Sequence, residues 1–584
     1  MQLVRRFRLP ALFCAFAVLA CALISRPYAD MGICDEGPYF LMAQHLARTG
    51  HIVFNGWATA MLGCQLYLGA AFIKLFGASF TAVRMSTLMV ALLTAFFLQR
   101  TLVLAGVNER NATLGTLAFV LSPLYLELSV TFMTDAMGLC AVVLCLYGCL
   151  RALHASAESA TIAWLCFSVV TNAVFGTSRQ IAWLGILVMA PSALYLLGSR
   201  GGWRARHKIL AAGAVVTAAG VLFIFVCMQW LKRQPYSIPE HLVVPRGAEF
   251  DLFSSLLGAF AEIPFLLIPI AVLFLPELRK GGRRSVKVVS VASATYVLVP
   301  LASYHLRGYF HFPHLLEPTM GDWFTPFGGY GAALLTGPPA AFLHTGTRVV
   351  LTIASLGGLL GLIVSLLEPR PIRPETGNTQ APPWRELRVL VGPFVAIYCL
   401  LLIPRAASVY GIFDRYLLEL LAVALPWLVL IYQERIRGRM PPATLLLIAI
   451  WAVYSIAITH NMFSFYRARA KLADELRAHG IPDTRVDNGW EYNFMVELRH
   501  SDHINDPRIA APSGAYVPVA PLPSDSCPMF WFGRTPHVRP IYGVSFDPNA
   551  CYGPAPFAPV HYSRWLASSP GTLYVVRYLP AEKK

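Results

Sequence analysis

Long apolar runs constrain this 584-residue chain more than any other feature. Many of them reach the roughly 20 residues that an α-helix needs to cross the hydrocarbon core of a bilayer. Charged residues make up 13% of the chain, whereas soluble globular proteins carry about 25%. The mean hydropathy of +0.56 agrees with this pattern. The sequence therefore predicts an all-α polytopic membrane protein.

About thirteen spanning helices are predicted from the apolar runs. The first run, 9–26, follows a group of arginines and ends in Ser25-Arg26-Pro27, a poor cleavage site for a signal peptide. It is therefore interpreted as a retained first helix. The later predicted spans are 84–105, 112–130, 136–153, 160–176, 181–198, 209–230, 253–276, 287–304, 348–367, 389–404, 417–433 and 443–460.

The net charge of +16 comes from basic residues that cluster in short loops between the apolar runs. Cytoplasmic loops of membrane proteins carry such an excess of Lys and Arg. The charge is therefore interpreted as membrane anchoring, and nucleic acid is excluded as a partner. Alternation of the spans from a cytoplasmic N-terminus puts the most basic loops inside and the C-terminus outside. We expect a multi-pass protein embedded in the bilayer of the inner (plasma) membrane.

The predicted domains are a transmembrane domain, 1–460, and a small extracytoplasmic domain, 461–584, of α/β or otherwise mixed structure. The second region has no further span and is rich in Pro and Gly. Two pairs of cysteines could form disulfides if these regions face an oxidising space. One pair is Cys34 with Cys64 in the first outer loop, and the other is Cys527 with Cys551 in the C-terminal domain.

The first outer loop, 27–83, is predicted to contain two helices that do not span. Pro38 suits an early helical position and Gly50 a helix end. Between them, an apolar face repeats at helical spacing, which predicts a short amphipathic helix. The segment 59–76 is apolar, but counting it as a span breaks the charge pattern of the loops. We therefore expect a helix that lies in or on the membrane.

Acidic residues stand at the outer ends of two predicted spans. Asp35 and Glu36 follow the first span, and Asp135 precedes the fourth. Carboxylates at the edge of a membrane are costly to desolvate, so they are functional candidates. The alternative is that each simply caps the helix that follows it, because acidic side chains are favoured at helix N-termini.

The order of these motifs resembles a known group of membrane enzymes, the GT-C glycosyltransferases. An N-terminal helix followed by Asp35-Glu36-Gly37-Pro38-Tyr39 and a short amphipathic helix is similar to the bacterial aminoarabinose transferases of lipid A and to the protein O-mannosyltransferases. The resemblance extends to Val83-Arg84, Asp135, Arg179 and Asp414-Arg415-Tyr416. It covers residues 5–200 well, the middle of the chain poorly and the C-terminal region not at all.

The resemblance implies transfer of a sugar, a hexose or a pentose, from a polyprenyl-phosphate donor at the outer face of the membrane. The acceptor would be a lipid, a glycan or a protein, and the anomeric centre would be inverted. On that interpretation Asp35 is the base for the acceptor hydroxyl. Glu36 helps to place the acceptor or a metal, and Asp135 is a second acidic group of the same cavity.

A departing lipid phosphate needs fixed positive charge, which the planar guanidinium group of arginine supplies. Arg179 and Arg415 are the candidate phosphate ligands, with Arg405 as a third. The alternative for these arginines is an interfacial anchor, in which the charged head reaches the lipid headgroups.

No cofactor is expected. The pair Asp35-Glu36 differs from the Asp-x-Asp that some metal-using relatives carry, which argues against a tightly bound divalent ion. The other possible metal ligands are His311 and His314, with Glu317 and Asp322 nearby. They lie on a Pro-interrupted loop without an obvious third partner, so the metal signal is weak.

Two other functions share the helical pattern. A transporter or lipid flippase typically shows paired halves with broken helices at matching positions, and no such duplication is visible in the sequence. A polymerase or ligase of surface polysaccharide usually carries its key basic residues in one large outer loop. Here the acidic pair is in the first loop, which favours the transferase.

Overall fold

A computed structural model describes most of the chain, and all structural statements below concern that part. The described residues are 2–238, 249–307, 322–331, 335–368, 384–406, 412–523 and 526–579.

The helices of the first half are α1 (Gln2–Ser25), α2 (Glu36–Thr49), α3 (Gly63–Phe76), α4 (Phe80–Leu104), α5 (Glu109–Val120), α6 (Pro123–Ser129), α7 (Asp135–His154), α8 (Glu158–Gly176), α9 (Ala190–Gly201) and α10 (His207–Lys232). Those of the second half are α11 (Glu249–Leu266), α12 (Ile268–Ala271), α13 (Arg283–Arg307), α14 (Thr345–Leu367), α15 (Trp384–Ala406), α16 (Leu418–Ile431), α17 (Ala443–Ala478) and α18 (Trp490–Ser501).

The predicted fold class is confirmed. Among the described residues, ten helices are long and apolar enough to cross a membrane, or twelve if each of two bent helix pairs is one span. The predicted span 287–304 corresponds to α13, which is not among the twelve. Each predicted span coincides with a helical segment, but twelve of the thirteen, counting each bent pair as one, are long and apolar enough to cross a membrane. The chain is a multi-pass membrane protein.

Two of the predicted spans are not single straight helices, because each is a pair of helices with a bend between them. The span 112–130 is α5 followed by α6, which are bent by 69°. Pro123 begins α6 there, and the Ser122 hydroxyl accepts from the backbone N–H of Tyr125. Proline has no backbone N–H with which to continue the preceding helix. The span 253–276 is likewise broken, with 78° between its two parts. Hydropathy continues across both breaks, so it does not reveal them.

The first outer loop contains the two short helices that were expected. Helix α2 begins at Glu36, two residues before Pro38, and Gly50 ends it in a left-handed conformation. Its buried face includes Tyr39 and Met42. Helix α3 has 14 residues, which is too short to cross a bilayer.

Helix α17 connects the membrane helices to the C-terminal domain. It has 36 residues and continues through residue 460, so the structural boundary of the domain falls after Ala478. The Arg469 guanidinium on this helix pairs with Glu491 at 3.1 Å, and both side chains are almost completely buried. A buried pair of this kind is costly to break. It therefore attaches the start of α18 firmly to α17.

The C-terminal domain has mixed structure, as predicted. Its four strands are β1 (Val486–Asp487), β2 (Tyr542–Ser545), β3 (Val560–Tyr562) and β4 (Gly571–Arg577). They form one sheet in the order β1-β2-β4-β3, in which only the β1–β2 pair is parallel. Cys527 and Cys551 form a disulfide in this domain, whereas Cys34 and Cys64 are free thiols.

Candidate active site

One cavity of about 460 Å³ contains most of the predicted site residues. Its polar lining residues are Asp35, Tyr39, Thr59, Thr134, Arg179, Gln180, Tyr398, Arg405, Arg415 and Tyr416. Its apolar lining residues are Ala60, Ile181, Leu184, Leu187, Leu401, Leu402 and Pro404. The side chain of Leu187 is 47% exposed, so the apolar wall reaches the surface of the spanning helices.

Asp35 lies at the N-terminus of α2, with its side chain directed to partners outside that helix. Its side chain makes no capping hydrogen bond with α2. Instead, Oδ1 accepts from the indole Nε1 of Trp57 at 3.0 Å, and Oδ2 lies 3.5 Å from Nη1 of Arg415. The side chain remains 17% exposed. Asp35 is therefore a carboxylate that faces the cavity and is held by one neutral donor and one cation.

Glu36 lies outside the cavity lining, although it is adjacent to Asp35 in sequence. Its carboxylate is completely buried and pairs with Arg84, whose Nε donates to Oε1 at 3.0 Å. It also accepts the backbone N–H groups of Ile33 at 2.8 Å and Phe132 at 2.6 Å. These bonds join the loop before α2 to α4 and to the turn before α7. Glu36 therefore supports the loop that carries Asp35, and its side chain does not line the cavity.

Asp135 lies one layer behind the cavity wall, where it forms an ion pair with Arg179. Glu419 of α16 also pairs with Arg179, with 3.1 Å between Oε1 and Nε. Both carboxylates are fully buried, and Arg179 is the member of the group that lines the cavity. A Cβ atom on Gly138 would lie 2.8 Å from both Arg179 Cδ and Glu419 Oε1. A side chain at Gly138 would therefore have to displace Arg179 or Glu419 from their pairing.

Arg415 contacts two carboxylates at longer range. Its Nη1 lies 3.5 Å from Asp35 Oδ2, and its Nε lies 3.7 Å from Asp322 Oδ2. The neighbouring Asp414 accepts the backbone N–H groups of Trp323 and Phe324 at 3.0 and 2.7 Å, which holds that segment beside the start of α16. Burial raises the pKa of Asp322 to about 7, although the charge of Arg415 opposes that shift.

The three predicted arginines meet at the ring of Tyr416. The guanidinium carbons of Arg179, Arg405 and Arg415 lie 5.1, 5.2 and 5.7 Å from the centre of that ring. Arg405 Nη2 also donates to the Tyr416 hydroxyl at 2.9 Å. The electron-rich face of an aromatic ring attracts cations. Tyr416 therefore helps to gather three positive charges that would otherwise repel one another.

The predicted histidine ligands His311 and His314, together with Glu317, lie outside the described residues. Within the described ranges, no group of three or more His, Cys, Asp or Glu side chains is placed to hold a metal ion. Asp322, the fourth member of that motif, is described and lies beside Arg415.

Sequence reasoning missed two residues of the site. Glu419 had a signal, because a carboxylate inside the predicted span 417–433 is a functional candidate by default. No sequence signal indicated Trp57, since a tryptophan in an outer loop is ordinary and its contact with Asp35 depends on the fold.

Comparison with known proteins gives distant structural similarities only. No protein-family model matches the chain, and no curated protein matches it. Among solved structures, the chain is similar to the protein O-mannosyltransferase Pmt1-Pmt2 complex of S. cerevisiae bound to the sugar donor. The identity is 13% over 37% of this chain and 33% of that one, with a TM-score of 0.31. The chain thus spans about a third of that protein's length.

Two further structures align over most of the chain. ArnT from Cupriavidus metallidurans bound to undecaprenyl phosphate is 14% identical over 80% of this chain and 79% of that one, with a TM-score of 0.37. The oligosaccharyltransferase of Archaeoglobus fulgidus in complex with Zn and sulfate is 13% identical over 91% and 67%, with a TM-score of 0.39.

Proposed function

We propose that this chain is a membrane glycosyltransferase that moves a sugar from a polyprenyl-phosphate donor to a hydroxyl acceptor at the outer face of the membrane. The observation that carries the proposal is the composition of one cavity. Among the described residues that line it, one carboxylate, Asp35, faces three arginine side chains, and an apolar wall continues from them to the surface of the spanning helices.

The donor has two chemically different parts, a phosphate and a prenyl chain, and each matches a different part of this cavity. A phosphate is recognised by guanidinium groups through charge-assisted hydrogen bonds, and Arg405 and Arg415 face the cavity with Arg179 beside them. The prenyl chain requires an apolar surface that is open to the bilayer. Leu184 and Leu187 supply part of such a surface.

The chemistry then needs only one base. The acceptor hydroxyl oxygen attacks the anomeric carbon on the face opposite the phosphate, and its proton passes to Asp35. The bond from the anomeric carbon to the phosphate oxygen breaks, and its electron pair leaves with the polyprenyl phosphate. The arginines stabilise the charge that develops on that leaving group. A single displacement of this kind inverts the anomeric centre.

The other acidic residues around the cavity act through Arg179 and through the loop before α2. Asp135 and Glu419 fix the position of Arg179, and Glu36 fixes the loop that ends in Asp35. No divalent metal has a step in this scheme.

The test is release of polyprenyl phosphate from native membrane vesicles, measured by mass spectrometry of the lipid fraction. This product forms whatever the sugar and the acceptor are. We expect Asp35→Asn to lower release by about 100-fold or more, because the general base is lost. Binding of undecaprenyl phosphate to the purified variant should be no weaker than to the wild type, because the arginine group is intact and Arg415 loses a negative neighbour.

The matched control is Asp30→Asn, which makes the same chemical change at an exposed position of the same loop. It should release polyprenyl phosphate at the wild-type rate. Near-normal release in Asp35→Asn would exclude Asp35 as the base. Movement of intact polyprenyl-phosphate-sugar across the vesicle membrane, without release of polyprenyl phosphate, would favour the flippase instead.

A further inference from the structure

Trp57 lies between Asp35 and the C-terminal domain. Its indole N–H donates to Asp35 Oδ1 at 3.0 Å, which leaves Oδ2 on the side of Arg415. The same indole ring packs against three aromatic side chains of the C-terminal domain. The ring centres are 5.4 Å from Trp490, 4.4 Å from Phe494 and 5.8 Å from Trp531.

The C-terminal domain also contacts the first turn of α2, which begins next to Asp35. A Cβ atom on Gly37 would lie 2.7 Å from the sulfur of Met495 on α18. Helix α18 therefore sits so close to α2 that a side chain at Gly37 would have to displace Met495. The start of α18 is fixed in turn by the buried pair of Arg469 with Glu491.

We propose that Trp57 is a positioning residue for Asp35, and that the C-terminal domain belongs to the active site because it holds Trp57. This inference rests on the proposed function. A continuous set of contacts runs from the buried Arg469–Glu491 pair through Trp490 and Phe494 to Trp57, and from its indole N–H to the carboxylate.

The physical role of Trp57 follows from competition for one carboxylate. Arg415 attracts Asp35, and a rotation of the carboxylate could place both oxygens on the guanidinium group, since such bidentate pairs are favourable. An Asp35 carboxylate with both oxygens bound to Arg415 would point away from the substrate. The indole N–H is neutral and holds Oδ1, so that Oδ2 remains directed to the cavity.

The test compares two tryptophan-to-phenylalanine substitutions in the full chain in native membrane vesicles. Trp57→Phe keeps an aromatic ring in the cluster but removes the donor to Asp35. Trp490→Phe makes the same change one ring away and leaves that donor in place. The measurement is the release of polyprenyl phosphate as a function of donor concentration, which separates kcat from KM.

We expect Trp57→Phe to lower kcat by about 10- to 100-fold, the effect of one hydrogen bond to a charged group, with an unchanged KM for the donor. Trp490→Phe keeps the donor to Asp35 and should lower kcat by a clearly smaller factor.

Two results would overturn the inference. One is a Trp57→Phe variant with the wild-type kcat. The other is an equal loss of kcat in Trp57→Phe and Trp490→Phe, which would show that Trp57 only packs in the aromatic cluster. If Trp57→Phe does not fold, Trp531→Leu removes one of the supporting rings and keeps the indole donor. It should lower kcat by a smaller factor than Trp57→Phe at an unchanged KM, and a wild-type kcat in this variant would overturn the coupling of the domains.

The same data separate this inference from the function on which it rests. Wild-type protein that releases no polyprenyl phosphate would refute the proposed function, and the positioning role with it. Release that Trp57→Phe leaves unaltered would refute the positioning role alone.

Discussion

The two sides of the cavity hold their arginines in different ways. In what we term the fixed corner, Arg179 pairs with Asp135 and Glu419, whose carboxylates are completely buried. In the loose corner, Arg415 contacts Asp35 and Asp322 at 3.5 and 3.7 Å, and those side chains are 17% and 22% exposed. A buried pair that loses one partner leaves an uncompensated charge, whereas a long, partly solvated contact exchanges easily for another anion. The fixed corner shapes the cavity, and the loose corner is where a phosphate can bind.

The largest expected effect comes from breaking the fixed corner. Glu419→Gln should lower the free energy of unfolding by about 3 kcal/mol, because Arg179 loses one of its two buried counter-charges. The measurement is denaturant unfolding of the detergent-solubilised protein, followed by circular dichroism. The matched control is Asp474→Asn, which breaks an exposed pair with Arg477 and should cost less than about 1 kcal/mol. Equal losses in the two variants would show that the fixed corner is not a special support.

The loose corner should respond in ligand binding and not in stability. Arg415→Ala should weaken the binding of undecaprenyl phosphate by about 10-fold or more, the effect of losing a charge-assisted hydrogen bond. Its unfolding transition should stay close to that of the wild type, because Asp35 and Asp322 are partly solvated. Native mass spectrometry of the purified protein measures the binding.

The control for the loose corner is Arg48→Ala, which removes an exposed arginine of α2 that does not line the cavity. Its affinity for undecaprenyl phosphate should equal that of the wild type. Unchanged affinity in the Arg415→Ala variant would show that Arg415 is not part of the phosphate site. The proposed difference between the two corners would then fail.

The smallest effect is a pH dependence specific to the loose corner. Although 22% of the Asp322 side chain is exposed, desolvation by the surrounding protein raises its pKa to about 7, so its carboxylate takes up a proton as the pH falls from 8 to 6. Arg415 then loses one negative neighbour and is more available to a phosphate. Relative to Asp322→Asn, the wild type should bind undecaprenyl phosphate roughly two- to fivefold more weakly at pH 8 than at pH 6.

The comparison with Asp322→Asn also removes the titration of the phosphate itself, which affects both proteins alike. Parallel pH curves for the two proteins would mean that Asp322 does not compete for Arg415.

Asp35 and Glu36 show how far local sequence could predict this site. Both stand at the outer end of a predicted span, and the sequence treats them as one acidic pair. The structure separates them, because Glu36 meets Arg84 and two backbone N–H groups inside the protein while Asp35 faces the cavity. Adjacent side chains on a helix point in different directions, which local geometry predicts. The partners of each side chain come from distant parts of the chain, which local geometry does not predict.

The sequence by itself determined the helical membrane architecture, the non-spanning helices of the first loop and the three arginines of the cavity. Those features depend on local quantities, namely the length of apolar runs, helical periodicity and charge beside a span. Only the tertiary structure decided that Glu419 supports Arg179, that Tyr416 gathers three guanidinium groups and that Trp57 connects Asp35 to the C-terminal domain. Each of these contacts joins separate elements of the chain, and its energy comes from burial and pairing that no local pattern encodes.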